Sequence, residues 1–204
     1  GMLNKKVSTP AAGNNLLKLL RQLLELAVEH RMRTDNPARL VKPLKERRQS
    51  HLAWTPADVA AFEAQYQTGS RERLALALLL NLGQRRSDIV GLGRQHITAG
   101  RIRLKQQKTG TELSIPIAPE LQAELARVPA GQLSFLQTAY GKPFSGPGFT
   151  NWFVERAKEA GLVNKTPHGL RHACAIRLAH LGCTAPEIAA VTGHRSLSQL
   201  EVYI

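Results

Sequence analysis

The sequence has no apolar run long enough to cross a bilayer. Its longest, Leu74 to Leu80, falls far short of the roughly 20 residues that a spanning helix needs. Nor does it open like a signal peptide, because Lys5 and Lys6 run into Val-Ser-Thr-Pro rather than an apolar segment. Cysteine is scarce. Cys174 and Cys183 stand nine residues apart without neighbouring ligands, which argues against a metal centre and reads as two reduced thiols of a cytosolic protein. There is no internal repeat and no low-complexity tract. Acidic residues are also few, 15 against 28 Lys and Arg, leaving a net charge of +13. A membrane protein, a disulfide scaffold and a disordered chain are thereby set aside.

What is present is a soluble composition, 43% apolar and 21% charged over 204 residues, enough for one core with a small appendage. The basic excess points to a polyanionic partner, nucleic acid first. Eleven Lys and Arg against four Asp and Glu place over half of that excess in the first fifty residues. Gly1 ahead of Met2 reads as the scar of a removed tag, so the sequence is expected to begin partway into a longer protein.

Residues 15 to 31 carry Leu16, Leu19, Leu20, Leu23, Leu24, Ala27 and Val28 at helical spacing. Asp35-Asn36-Pro37 closes that unit, and the basic stretch from Leu40 to Ser50 reads as an extended linker. Thr55-Pro56-Ala57-Asp58 then has the form of a capped helix start, with Thr as N-cap, Pro in the first turn and an acid at N3. That helix runs to about Tyr66. A second, apolar nearly all round, runs from Gly69-Ser70 through Leu82 and is broken by Gly83. Ser87-Asp88 begins a short helix. Alternation in Arg101 to Lys105 and in Leu113 to Ile117, across Gln106 to Thr111, predicts a β-hairpin. Further helices are expected at about 118–127, 147–160, 167–181 and 185–192. The fold class is mostly α with a small antiparallel β-sheet (α+β).

Breaking a phosphodiester without a metal requires cations at the non-bridging oxygens, a nucleophile, and a proton donor for the leaving oxygen. Arginine suits the first task, because its planar fork is permanently charged and bidentate. Four segments hold suitable groups. Leu82-Gly83-Gln84-Arg85-Arg86-Ser87-Asp88 puts arginine at a helix corner. Lys108 stands in the hairpin turn, with Lys105 as a competitor. Thr166-Pro167-His168-Gly169-Leu170-Arg171-His172 puts His168 and Arg171 on one helix face. Thr192-Gly193-His194-Arg195-Ser196 is followed by Tyr203, nine residues after His194. Taken singly, each piece has a plain structural reading: a surface cation, a turn lysine, a helix cap, a packing tyrosine. Their ordered occurrence in one basic chain is what carries weight.

That ordered set resembles the tyrosine recombinase (phage integrase) family. Its catalytic domain shows Gly-x-Arg-x-Ser-Glu, a hairpin Lys, His-x-Leu-Arg-His, Gly-His, and a Tyr nine residues on. Here the match spans about residues 52–204, with Asp88 where Glu is usual and Gly169 where an acid is frequent. The resemblance implies a catalytic set of Arg85, Lys108, His168, Arg171, His194 and Tyr203, supported by Asp88 and His172. Family spacing after Gly83 selects Arg85; chemistry alone does not separate it from Arg86. Arg86, Lys105, Lys42, Lys45, Arg47 and Arg48 are expected to hold DNA phosphates around that centre.

The resemblance further implies strand cleavage through a 3′-phosphotyrosyl link, with no metal and no cofactor, on double-stranded DNA. A homotetramer on paired sites is implied for the full-length protein, acting in the cytoplasm at the bacterial nucleoid or, if phage-encoded, in the host. It also divides the chain into a remnant of a helical core-binding domain (1–42), a basic linker (43–51) and a catalytic domain (52–204) that ends shortly after the nucleophile. A type IB topoisomerase-like nicking-closing enzyme shares the chemistry. A DNA-binding regulator would use these residues only to clamp phosphate, and a ribosomal or other RNA-binding protein shares only the charge.

Overall fold

The computed structural model describes residues 10–45 and 52–194, and the chain divides into two compact units at residues 50/51. Among the described residues no helix is long and apolar enough to cross a membrane.

The first unit is built on helix α1 (Pro10–Glu29). It begins five residues earlier than the leucine periodicity indicates, because Ala11 to Asn14 carry little apolar signal. It ends near Arg31, whose φ of 57° leaves the helical region. The chain then folds back on α1. Pro37–Leu40 forms a 3-10 turn. Arg21 donates to the carbonyls of Ala38 (2.9 Å) and Val41 (2.6 Å). Asn36 donates to Arg21 O and to Glu25 Oε2. The segment read as extended from Leu40 therefore starts as part of this unit, and Leu44 exchanges two hydrogen bonds with the Asn14 side chain. Leu17 and Ala38 are buried, whereas Leu19, Leu23 and Leu26 are exposed.

The second unit is organised around α3. Helix α2 (Pro56–Gln65) starts with a full capping box, the Thr55 hydroxyl accepting from Asp58 N while Asp58 accepts from Thr55 N. Ser70 caps α3 (Arg71–Leu82) by accepting from Arg73 N. Leu74, Ala75, Leu76, Leu78, Leu79 and Leu82 are all buried, as an all-round apolar helix must be. It packs against α5 (Pro119–Leu125) and α7 (Pro167–His180). An aromatic layer of Trp54, Phe62, Phe149 and Phe153 has ring centroids 5.4–5.8 Å apart and locks α2 to α6 (Gly146–Glu159).

The sheet has three antiparallel strands in the order β1 (Ile97–Thr98), β2 (Arg101–Lys105), β3 (Glu112–Pro116). Leu104 pairs with Leu113 and Ile102 with Ile115, and all four face the core. The alternating pattern revealed β2 and β3 but not β1. That strand is two residues long and is joined by Ala99-Gly100, both at positive φ (49° and 71°), the turn that matches strand twist. Alanine there hides the usual Asn-Gly signal. The short α4 (Arg86–Ile89) follows α3, and α8 (Ala185–Thr192) follows α7.

Candidate active site

The site is assembled from helix ends. Gly83 caps α3 in the left-handed conformation (φ 59°). A Cβ there would lie 2.8 Å from Cys174 Sγ and 3.1 Å from Thr192 Cγ2, so only glycine lets the α3–α4 corner press against α7 and α8. Two residues on, Arg85 is half-buried and its Nη1 donates to Gln106 Oε1 (3.1 Å). Arg86 takes another partner. It is exposed and donates to Thr150 Oγ1 on α6 (2.7 Å). The two arginines line the same cleft but differ in partner, Arg85 bonding the hairpin glutamine and Arg86 a hydroxyl of α6.

Arg171 is buried, with 3% of its surface exposed. Its Nη1 donates to Gly83 O and Thr192 O, each at 2.7 Å, and its Nη2 lies 3.1 Å from His194 Nε2. Those two carbonyls belong to the C-terminal ends of α3 and α8. The negative ends of two helix dipoles therefore steady a guanidinium that would otherwise be costly to bury. His194 follows Gly193, the left-handed cap of α8. Its pKa is held down to about 4, chiefly by burial and then by the charges of Arg171, Arg85, His172 and His168. His168 is exposed on the first turn of α7, capped by Thr166, and its ring meets the half-buried His172 edge-on at 4.9 Å. Arg85, Arg86, Ser87, Thr150, Thr166, Pro167 and His168 line one cleft of about 330 Å³. A larger cleft of about 410 Å³ beside Trp54, Val59 and Ile176 is mainly apolar and gathers no comparable set of cations and imidazoles.

The hairpin turn is tied to this centre by residues that sequence reasoning missed. Gln106, 1% exposed, donates through Nε2 to Gln84 Oε1 (2.7 Å) and Thr192 O (2.9 Å). Its Oε1 accepts from Arg85 Nη1 and Thr109 Oγ1 (2.6 Å). Both donors and both lone pairs of the amide are used, which is how a buried glutamine becomes a rigid joint. Gln84, also 1% exposed, completes the joint by donating to Leu82 O and Val191 O. Gly193 makes room for it, since a Cβ there would lie 2.3 Å from Gln106 Nε2. The available signal was a polar residue at the next inward position after Ile102 and Leu104. Asp88 is buried beneath the same turn. Its Oδ1 accepts from Gln107 N (2.9 Å), and its Oδ2 has no partner among the described residues. Asp88 therefore anchors the turn, and the carboxylate shows no pairing with Arg85.

Lys108 is exposed within that turn. Lys105 instead lies on the outward face of β2, 3.4 Å from Glu112. Lys42 and Lys45 are exposed in the first unit. Tyr203, Arg47 and Arg48 lie outside the described residues.

The model of the phage integrase family matches residues 55–204. Tyrosine recombinase XerD of Xanthomonas campestris pv. campestris is 29% identical over 217 residues, covering 95% of this chain and 67% of that protein. Tyrosine recombinase XerC of Rhodospirillum centenum is 31% identical over 144 residues, covering 66% of this chain and 42% of that protein. Among solved structures, a lambda integrase dimer bound to a COC′ core site superposes with a TM-score of 0.82 at 20% identity, over 97% of this chain and 78% of that one. A lambda integrase tetramer bound to a Holliday junction gives 0.79 at 23% identity, over 97% and 63%.

Proposed function

We propose, since this chain belongs to the phage integrase family, that it is a site-specific DNA recombinase that breaks and rejoins strands through a 3′-phosphotyrosyl intermediate. The observation that carries this reading is the convergence of Arg85, Arg171 and His194, from three elements far apart in the chain, beside a cleft that His168 also lines.

Arg85 and Arg171 hold the non-bridging oxygens of the scissile phosphate, offsetting the charge that repels a nucleophile and grows in the transition state. Tyr203 attacks phosphorus. A free phenol has a pKa of about 10, so the proton must be taken up, and His168 on the open side of the cleft receives it. The P–O5′ bond breaks, and Lys108 protonates the leaving oxygen. The phosphotyrosyl ester retains the bond energy. Attack by a 5′-hydroxyl reverses the steps, resealing the strand or joining a new one.

The named relatives and the DNA-bound integrase structures support double-stranded DNA as the substrate. They also support a homotetramer on paired sites as the working assembly, in the cytoplasm of a bacterium and in the service of a phage or mobile element. Residues 1–42 then serve as part of a core-binding domain and 43–51 as a basic linker. The test is a nicked suicide substrate, whose short 5′-hydroxyl fragment diffuses away after cleavage. Wild-type protein should accumulate a covalent protein–DNA adduct, and Tyr203→Phe should bind the same DNA without forming one. An adduct with Tyr203→Phe would overturn the assignment.

A further inference from the structure

Three hydrogen bonds fix the protons around His194. Arginine donates and never accepts. With Arg171 Nη2 at 3.1 Å, His194 Nε2 must present a lone pair. The ring is neutral, in keeping with its burial and the surrounding charges of Arg171, Arg85, His172 and His168, so its one proton is on Nδ1. Nδ1 lies 2.7 Å from Thr192 Oγ1, which therefore accepts. The hydroxyl proton is left for Ile188 O, also at 2.7 Å. Thr192 has no exposed surface, whereas the His194 ring is half-buried and within reach of water.

This tautomer suits a residue that aims Arg171 but not one that donates to a phosphate oxygen. Donation requires a proton on Nε2. Adding a second proton is opposed by burial and by the two guanidiniums. Moving the single proton is not, provided that Nδ1 gains a donor. The Thr192 hydroxyl can supply one by rotating from Ile188 O to Nδ1.

We propose that Thr192 is a positioning residue whose buried hydroxyl, able either to accept from or to donate to Nδ1, lets His194 change tautomer. In the DNA-free protein it accepts from Nδ1–H, leaving Nε2 to receive Arg171. When a phosphate occupies the cleft, the hydroxyl turns to donate to Nδ1, and Nε2–H donates to a non-bridging oxygen. Proton exchange with water removes one proton from Nδ1 and adds one at Nε2, so the ring stays neutral throughout. This inference rests on the recombinase reading only for its second, DNA-bound state.

The test is nitrogen NMR of protein carrying 15N-labelled histidine, with His194 assigned from the signals lost in His194→Gln. DNA-free wild-type protein should show a protonated Nδ1 and a bare Nε2, and saturation with the nicked suicide substrate should exchange the two. A DNA-free spectrum with the proton on Nε2, or on both nitrogens, overturns the proposal without need of any variant. Thr192→Val removes the hydroxyl at nearly constant shape. Arg171 still requires a bare Nε2 in the DNA-free variant, so the variant should instead fail to exchange the two nitrogens on DNA and should cleave roughly 10- to 100-fold more slowly, somewhat less than direct loss of an oxyanion donor, with DNA affinity unchanged. Thr192→Ser should restore both readings. A Thr192→Val protein with wild-type exchange and cleavage would also overturn it. Failure of wild-type protein to form any adduct would count against the recombinase reading instead, since the DNA-free spectrum is read independently.

Discussion

At the scale of single residues, the hairpin turn is joined to the site by a buried amide that leaves no bonding capacity unused. That amide, of Gln106, joins Arg85, Gln84, Thr109 and Thr192. Gln106→Met keeps the length and removes all four bonds. Leaving several buried polar groups short of a partner should cost about 2–4 kcal/mol in urea unfolding. Displacing Arg85 should slow suicide-substrate cleavage by about 10- to 100-fold, as misplacement of a catalytic group does. His194 gives a pH signature. Its folded pKa of about 4 lies below the ordinary 6.5, so the unfolded chain binds the proton more readily. That contribution to stability is intact above about pH 6.5, is lost as pH falls toward 4, and is constant below. Urea midpoints of wild-type protein and His194→Gln should therefore converge as pH drops through this window. Parallel curves would contradict the neutral imidazole.

At the scale of elements, α7 carries His168, Arg171 and His172 from a start that only glycine permits. A Cβ on Gly169 would lie 2.3 Å from Leu52 O and 3.0 Å from Trp54 Cδ1. Trp54 closes this contact by donating from its ring to Thr166 O (3.1 Å) and from its backbone to Gly169 O (3.4 Å). Gly169→Asp, which would install the acid that family members often carry, should thus cost about 1–3 kcal/mol by overpacking. It should lower the thermal midpoint; an unchanged midpoint would show that the 52–54 segment yields freely. The elements themselves were largely legible in the sequence. The cap at Thr55, the helix start at Gly69-Ser70, the all-round apolar α3 and the alternation of β2 and β3 are local signals, and each recurs in the structure. What was not legible depends on distant contact. β1 is too short to show a period. The 36–44 segment takes its shape from side chains of α1. Arg171 is recognisable by motif, but its steadying by the ends of α3 and α8 is tertiary, as is the role of Thr192.

At the scale of the molecule, the charge of +13 and the cationic centre serve one polyanion. Binding to duplex DNA should weaken linearly with the logarithm of salt concentration, with a slope of about −0.9 for each phosphate neutralised. Lys42→Ala and Lys45→Ala should each flatten that slope by about one unit without altering cleavage of bound substrate. A slope indifferent to both would remove Lys42 and Lys45 from the DNA interface.

The central claim is that Arg85 and Arg171 act on the charge of a scissile phosphate. It is tested most directly by replacing one charged non-bridging oxygen at the cleavage site with a methyl group. Arg85→Ala should cleave the natural phosphate about 10²- to 10³-fold more slowly than wild type, yet recover most of that loss on the neutral methylphosphonate, where there is less charge to offset. An equal loss on both substrates would contradict the account, leaving Arg85 as a structural cation rather than a phosphate clamp.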